Sequence, residues 1–537
     1  MKKLVSRFMA VLMAMTMILS MSMTAFAAEA PKGTLTVNNT VAGKTLDLYQ
    51  IFTATKNEAG NVAYTLNPEY KGFFQSKITD ASALTGEALS EKAYDYVKKQ
   101  VGPDGSNGAE FAKAILGWIL ENDTTVAATH TTATTTDGST VISDLAYGYY
   151  VVYPLGATDT STAPGNEAVK SVASLVSVTG TDAKVNMKSN YPTVVKTVND
   201  KVADDVNIGD TVTYTLTSKV PDMTGYTSYV FNFKDTLSAG LTFKEITSVT
   251  VGSGENVQNV TAGTGDNTYT LTQDGQNITI TMNNFLASNA NKAGQEIKVT
   301  YTATLNKNAV TGFDANKNSA TIEYSNKPGT DNKGESEPSI VDVHTFNFTI
   351  FKYYLKGADK TGLANAEFEL YKGNTEDTAA DENAKINIVD EGNGVYRQAT
   401  ADEAKATGFT SAKIVSDDDG KVLVKGLDAG TYYLRETKAP DGYNKLLSDI
   451  KVVINADYDT TTGKLTKYTV TYTYNNVTNS LTSNSTETSP EVPVENKTGA
   501  QLPSTGSKGA LMVTLAGIVL FGALTASKAF GKKKAKN

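Results

Sequence analysis

Few side chains in this sequence could carry out chemistry unaided. There is no cysteine, and the two histidines, His130 and His344, lie in Thr-rich and strand-like surroundings without ligand spacing. Neither a zinc site nor a histidine-based triad is therefore expected, and no cofactor is implied. Asp417-Asp418-Asp419-Gly420 lacks the later ligands of a calcium loop and reads as a turn between strands. The glycines between Gly252 and Gly263 are broken by polar turn residues and open no helix, so they form no phosphate loop. What remains are lysines set in apolar, strand-like runs: Lys196 in Pro192-Thr193-Val194-Val195-Lys196-Thr197-Val198, and Lys352 in Phe346-Asn347-Phe348-Thr349-Ile350-Phe351-Lys352. Such a lysine either snorkels from a strand edge or is buried, and burial favours the neutral amine, which is a nucleophile.

The elements that would position these lysines are β-strands. The composition is heavy in Thr, Val, Tyr and Gly with one tryptophan, which suits many short strands joined by polar turns. A chain of 537 residues exceeds a single hydrophobic core and suggests roughly three or four domains of ~150 residues. A net charge of −8 offers no electrostatic footprint for nucleic acid. Exported proteins commonly use disulfides, so the lack of cysteine in a chain with export signals means that some other staple is used, or none.

Those signals lie at the two ends. Lys2, Lys3 and Arg7 precede an apolar run from Phe8 to about Met23, closed by Ala25-Phe26-Ala27, the order of a secretory signal peptide over residues 1–27. At the other end Leu502-Pro503-Ser504-Thr505-Gly506 is followed by an apolar stretch at about 510–526. Lys528, Lys532, Lys533, Lys534 and Lys536 come next, so the stretch could span a bilayer with its basic tail in the cytoplasm. Pentapeptide, apolar helix and basic tail together resemble the sorting signal of Gram-positive surface proteins. The resemblance implies a sortase that cuts between Thr505 and Gly506 and passes the Thr505 carboxyl to an amine, with residues 502–537 as the signal, and a cell-wall-anchored product.

Between the ends, three units are expected. Residues 28–190 mix strands, at about 34–38, 45–52 and 147–153, with helical periodicity at 84–101 and 109–121, giving a β-domain with a helical insertion. Residues 191–343 alternate with period two at 211–219, 269–272, 277–282 and 296–305, a β-sandwich pattern. Residues 344–498 carry strand runs near 346–353, 367–371, 421–424, 430–436, 450–454 and 468–474. The Ser/Thr/Pro/Glu-rich segment 480–493 lacks an apolar face and reads as a solvated loop before the last strand or as a tether. The fold class expected is mainly β, in tandem immunoglobulin-like sandwiches.

Tyr432-Tyr433-Leu434-Arg435-Glu436-Thr437-Lys438-Ala439-Pro440-Asp441-Gly442-Tyr443 resembles the E-box of collagen-adhesin B-type domains, and Leu363-Ala364-Asn365-Ala366-Glu367-Phe368 resembles their second strand. In those domains a buried Glu promotes an amide (isopeptide) bond between a Lys and an Asn side chain. The reaction needs a neutral amine and a protonated carboxyl, and one apolar pocket favours both. The resemblance implies Lys352, Asn496 and the acid Glu436 in the third unit, with Asn496 on the last strand. The second unit resembles the middle domain of pilus shaft proteins, implying Lys196 on its first strand and Asn318 on its last. Its acid would be Asp235, with Glu245 and Asp210 as rivals. In the first unit the strand at 34–38 has no lysine, and Tyr147-Gly148-Tyr149-Tyr150-Val151-Val152-Tyr153-Pro154 resembles an E-box strand without its Glu. No internal bond is expected there. In each of the other two units, joining first to last strand would keep the domain from extending under load.

Signal, helical-insert domain, Lys/Asn domain, E-box domain and sorting signal in this order resemble the shaft subunit of a sortase-assembled pilus. That implies sortase, identical subunits and peptidoglycan as partners, together with tip and basal pilins and a host surface ligand. Each shaft subunit needs an acceptor lysine, which in the family stands beside a Tyr-Pro at the first domain junction. Here the junction reads Val185-Asn186-Met187-Lys188-Ser189-Asn190-Tyr191-Pro192-Thr193, with Thr193 where the lysine is expected. Lys188 is the acceptor candidate, against the alternative of an ordinary solvated lysine; Lys196 could not serve two bonds. The alternative to a shaft subunit is a wall-anchored adhesin or minor pilin built of the same modules.

Overall fold

The structure, a computed structural model, describes residues 31–102, 108–122, 124–158, 172–187, 190–223, 225–485 and 489–498. The expected signal peptide, Lys188, the sorting pentapeptide and the apolar helix after it all lie outside these residues. Among the described residues no helix is long and apolar enough to cross a membrane.

The described residues are mainly β, arranged in tandem two-sheet units. In the first unit a three-stranded sheet holds Lys32–Asn38 between Ser139–Ala146 and Ala183–Asn186. It faces a second sheet built on Leu46–Lys56 and Gly148–Pro154. The helices Gly86–Val101 and Gly108–Glu121 form the insertion, preceded by a short helix, Lys71–Lys77, that the sequence pattern did not reveal. Their apolar stripes, including Ala93, Val97, Phe111, Ile115 and Ile119, bury against Phe73 and Phe74 as packing faces. The opening strand does contain a lysine, Lys32, at its exposed first position, upstream of the expected 34–38.

The middle unit is a two-sheet sandwich. One sheet orders Val195–Val198, Thr211–Lys219, Glu296–Leu305 and Leu241–Val251; the other contains Ala203–Asp205, Ser339–His344, Asn316–Ser325, Phe231–Leu237 and Asn277–Met282. Alternation decides which residues meet. In Thr211–Lys219 the inward residues are Val212, Tyr214, Leu216 and Ser218, and they lie opposite Ala303, Tyr301, Val299 and Ile297 of Glu296–Leu305. Rings of Phe231 and Phe285 stack 4.5 Å apart in the core between the sheets. Each such buried aliphatic or aromatic side chain contributes about 1.5–3 kcal/mol.

The third unit pairs a six-stranded sheet, around Phe346–Lys356 and Lys421–Leu427, with a seven-stranded one, around Glu367–Gly373 and Gly430–Lys438. Segment 480–493 is strand at both of its ends. Its first residues complete the strand Val477–Ser483, which pairs with Leu465–Tyr474 through Thr471–Ser480 and Thr473–Thr478 hydroxyl contacts, 2.9 Å each. Its last residues begin the closing strand Glu491–Glu495. Cross-strand hydroxyl pairs stabilise a polar hairpin without an apolar face. Thr345 separates the strand Ser339–His344, in the middle unit's sheet, from Phe346–Lys356, which opens the third. Middle and third units touch through Asp205, which accepts hydrogen bonds from Ala429 N at 2.8 Å and Tyr458 OH at 3.0 Å.

Candidate functional site

Period-two alternation that buries Val194 and Val198 carries Lys196 inward as well, opposite Leu216. Its ammonium lies 5.0 and 5.2 Å from the ring centroids of Tyr214 and Tyr301, which stack on each other. From the facing sheet, Asp235 and Asn318 project into the same space. Their strands are neighbours, with Asp235 opposite Ala320 and Leu237 opposite Asn318. Lys196 Nζ bonds to Asp235 Oδ2 and lies 2.8 Å from the Tyr301 hydroxyl. That hydroxyl is 2.8 Å from Asp235 Oδ2 and accepts from Asn318 Nδ2 at 2.7 Å. Both ion-pair side chains are fully buried. Burial lowers the Lys196 amine to about 8, opposed by Asp235, and burial raises the Asp235 carboxyl against the pull of Lys196. The two shifts bring the neutral pair, free amine and protonated acid, closer to the ionic one.

The rival acids are elsewhere. Glu245 is exposed on Leu241–Val251, and Asp210 Oδ2 is occupied by Asn207, whose backbone N and Nδ2 lie at 3.1 and 2.9 Å. Asn318 corrects the expectation in one respect: it stands on Asn316–Ser325, and Lys333–Glu335 and Ser339–His344 follow before the unit ends. The short run 339–344 lies beyond a Gly/Pro-containing stretch and carried no strong strand pattern. A tie from Lys196 to Asn318 would therefore cross between sheets and leave that final strand outside it, so the middle unit would not be clamped from end to end.

In the third unit Lys352 takes the next inward position after Phe348 and Ile350. The closing strand Glu491–Glu495 lies parallel beside it, with Val494 opposite Lys352, and Asn496 follows immediately after the strand rather than on it. Parallel first and last strands put the unit's entry and exit at opposite ends. Glu436 comes from the other sheet, inward beyond Leu434. Lys352 Nζ is 3.2 Å from Glu436 Oε1, and Asn496 Nδ2 donates to Glu436 Oε2 at 3.2 Å and to Asn444 O at 2.7 Å. Leu446 N donates to Glu436 Oε2 at 2.7 Å. Burial lowers the Lys352 amine to about 8, with Glu436 opposing. Gly420, at φ +76°, supports this corner: a Cβ there would sit 2.1 Å from Lys352 O, and Gly420 O receives Lys352 N at 2.6 Å.

Each cluster thus gathers a buried lysine, a buried acid and a buried asparagine whose Oδ1 has no hydrogen-bond partner among the described residues. An amine, an acid and a primary amide so placed can condense with loss of ammonia. Sequence reasoning missed Tyr301. The signal was there, since the alternation in 296–305 turns Tyr301 inward and a buried Tyr hydroxyl needs a partner. Of the remaining candidates, Asp417 Oδ1 accepts from Asp419 N and Lys421 N at 3.1 and 2.7 Å, a turn as expected. His344 is buried beside Phe346 and Tyr458, and His130 lies on a short strand at Leu48. Among the described residues no cluster of three or more His, Asp or Glu could hold a metal.

Residues 208–328 match the family model of the Gram-positive pilin backbone subunit 2, Cna-B-like domain, and residues 352–469 that of SpaA, a prealbumin-like fold domain. The chain is 25% identical over 321 residues to the trypsin-resistant surface T6 protein of Streptococcus pyogenes serotype M6, covering 54% of this chain and 50% of that one. It is 27% identical over 282 residues to fimbrial subunit type 2 of Actinomyces naeslundii, covering 49% and 50%. The chain so spans about half the length of the curated relatives it matches. Among solved structures, the T6 backbone pilin of S. pyogenes aligns at TM-score 0.45 and 16% identity over 88% of this chain and all of that one. The pilus 2b backbone protein of group B streptococcus aligns at TM-score 0.40 and 26% identity over 57% and 99%. The chain thus carries, in tandem, a domain matching the Gram-positive pilin backbone model and one matching the SpaA model.

Proposed function

We propose that this chain is the repeating shaft subunit of a covalent pilus, stiffened by two internal isopeptide bonds, Lys196–Asn318 and Lys352–Asn496, promoted by Asp235 and Glu436. The observation that carries the reading is the recurrence, in two consecutive sandwiches, of a fully buried lysine, acid and asparagine in contact. A buried ion pair is costly unless well compensated, and condensation removes that cost because the amide product has no charge. In each unit the neutral amine attacks the asparagine carbonyl while the acid polarises it, and ammonia leaves. A pilin sortase would cleave after Thr505 and transfer its carboxyl to Lys188 of the next subunit, and to peptidoglycan at the base. In this reading the chain's own chemistry is a one-time self-linkage.

The test is a gel of wall extracts. A boiling-resistant ladder that contains this chain and collapses in Lys188→Ala is expected. One wall-linked band in the parent strain would contradict polymerisation and favour an anchored adhesin or minor pilin.

A further inference from the structure

The Tyr301 hydroxyl occupies the centre of the middle cluster, within 2.8 Å of the lysine amine, the acid and the leaving nitrogen alike. Its ring is fixed by Tyr214, 5.2 Å away, and Phe243, 5.8 Å away, and by strand register between the inward Val299 and Ala303. The third unit is built differently. There the contacts to the second carboxyl oxygen and the amide nitrogen come from Leu446 N and Asn444 O of the backbone.

We propose that Tyr301 is a catalytic proton carrier between the attacking amine of Lys196 and the departing nitrogen of Asn318. The proposal rests on the reading of a Lys196–Asn318 bond. The Nζ lone pair forms the new bond to Asn318 Cγ, and the carbonyl electron pair shifts to Oδ1. As that pair returns, the Cγ–Nδ2 bond breaks, and Nδ2 takes the Tyr301 proton and leaves as ammonia. Tyr301 is refilled with the proton that Nζ gives up, directly or through Asp235 Oδ2. One proton has moved from Nζ to Nδ2, and Tyr301 and Asp235 end as they began. Asp235 Oδ1, like Asn318 Oδ1, has no hydrogen-bond partner among the described residues, so it is available to polarise the carbonyl while Oδ2 stays with the tyrosine. Burial and the nearby Asp235 keep the Tyr301 hydroxyl protonated until it is called on.

The test is Tyr301→Phe in the otherwise intact chain, followed by intact mass and peptide mapping during and after cell-free synthesis. The third-unit bond, whose acid and amide contact the backbone groups Leu446 N and Asn444 O, is the internal control. Wild type is expected about 34 Da below the sequence mass, two ammonia losses, and Tyr301→Phe about 17 Da below it, with Lys196 and Asn318 recovered unlinked or linked at least tenfold more slowly. Equal linkage rates in the two proteins overturn the proposal. Wild type lacking the 196–318 link is a different result, which removes the bond itself. To separate chemistry from folding, Lys196→Met is compared with Lys196→Met/Tyr301→Phe, neither of which can link. Similar melting temperatures support a chemical role, and a double variant that is unfolded assigns the hydroxyl to structure and overturns the proposal.

Discussion

Substituting Asn318 by alanine is the cleanest perturbation of the middle unit. The change removes the acceptor carbonyl but leaves Lys196 with Asp235, so no unpaired charge is stranded in the core. The bond would close a span of roughly 120 residues, and loop-closure entropy for that length contributes about 5 kcal/mol in the unfolded-state account. Asn318 is fully buried and donates to Tyr301 at 2.7 Å, so the lost hydrogen bond costs about 1 kcal/mol more. Together these predict a melting temperature lower by about 12–24 °C for the middle unit, at about 2–4 °C per kcal/mol. Differential scanning calorimetry of the whole chain reads this, because the third unit's transition stays in place as a reference. A middle-unit transition within about 3 °C of wild type would refute the reasoning, since neither the closed span nor the buried amide would then be contributing as argued.

Other consequences follow from the same geometry. Glu436→Ala removes the acid beside Lys352, so intact mass should rise by about 17 Da through loss of the third-unit bond alone, beyond the change due to the substitution. It should also destabilise that unit by about 3–5 kcal/mol beyond the lost link, because the buried amine is left without its counter-charge. The rate of middle-unit linkage in newly synthesised chains should be bell-shaped in pH. The reactive species carries one proton between Lys196 and Asp235. Above about 8 that proton is lost and the carboxylate no longer polarises the amide, whereas below the raised Asp235 value a second proton charges the amine. A linkage rate that keeps climbing past pH 9 would contradict this. Under force, the load path would leave Asn318 and run along residues 319–345 before reaching the third unit, so the middle unit should give a limited extension. About 27 residues at ~3.4 Å each amount to roughly 90 Å of contour, less the folded separation. Single-molecule pulling that shows full unfolding of the middle unit would argue against the cross-link, and no extension at all would argue against this path.

Much of the arrangement was legible in the sequence because alternation is a strong signal where one strand face is buried. The strands 211–219, 277–282 and 296–305 have the expected limits, and Lys196 and Lys352 were visible as inward positions of apolar runs. Glu436 was found through the E-box resemblance, not through any physical pattern of its own. Asp235 could be ranked but not chosen over Glu245 and Asp210, since which acid faces a lysine on another sheet depends on packing across the sandwich. The helix Lys71–Lys77 is too short for its periodicity to register. The strand Val477–Ser483 was lost because its stabilisation comes from hydroxyl pairs with Leu465–Tyr474, and such partners are invisible in a single segment. Tyr301 looked like one more core aromatic, and only the meeting of two sheets gives its hydroxyl a purpose.

Peptide mapping of the mature chain by tandem mass spectrometry tests the central claim most directly. Two branched peptides are expected, one joining Lys196 to Asn318 and one joining Lys352 to Asn496, each lighter than its separate parts by the mass of ammonia. Recovery of all four residues in linear peptides with unmodified side chains would contradict the account.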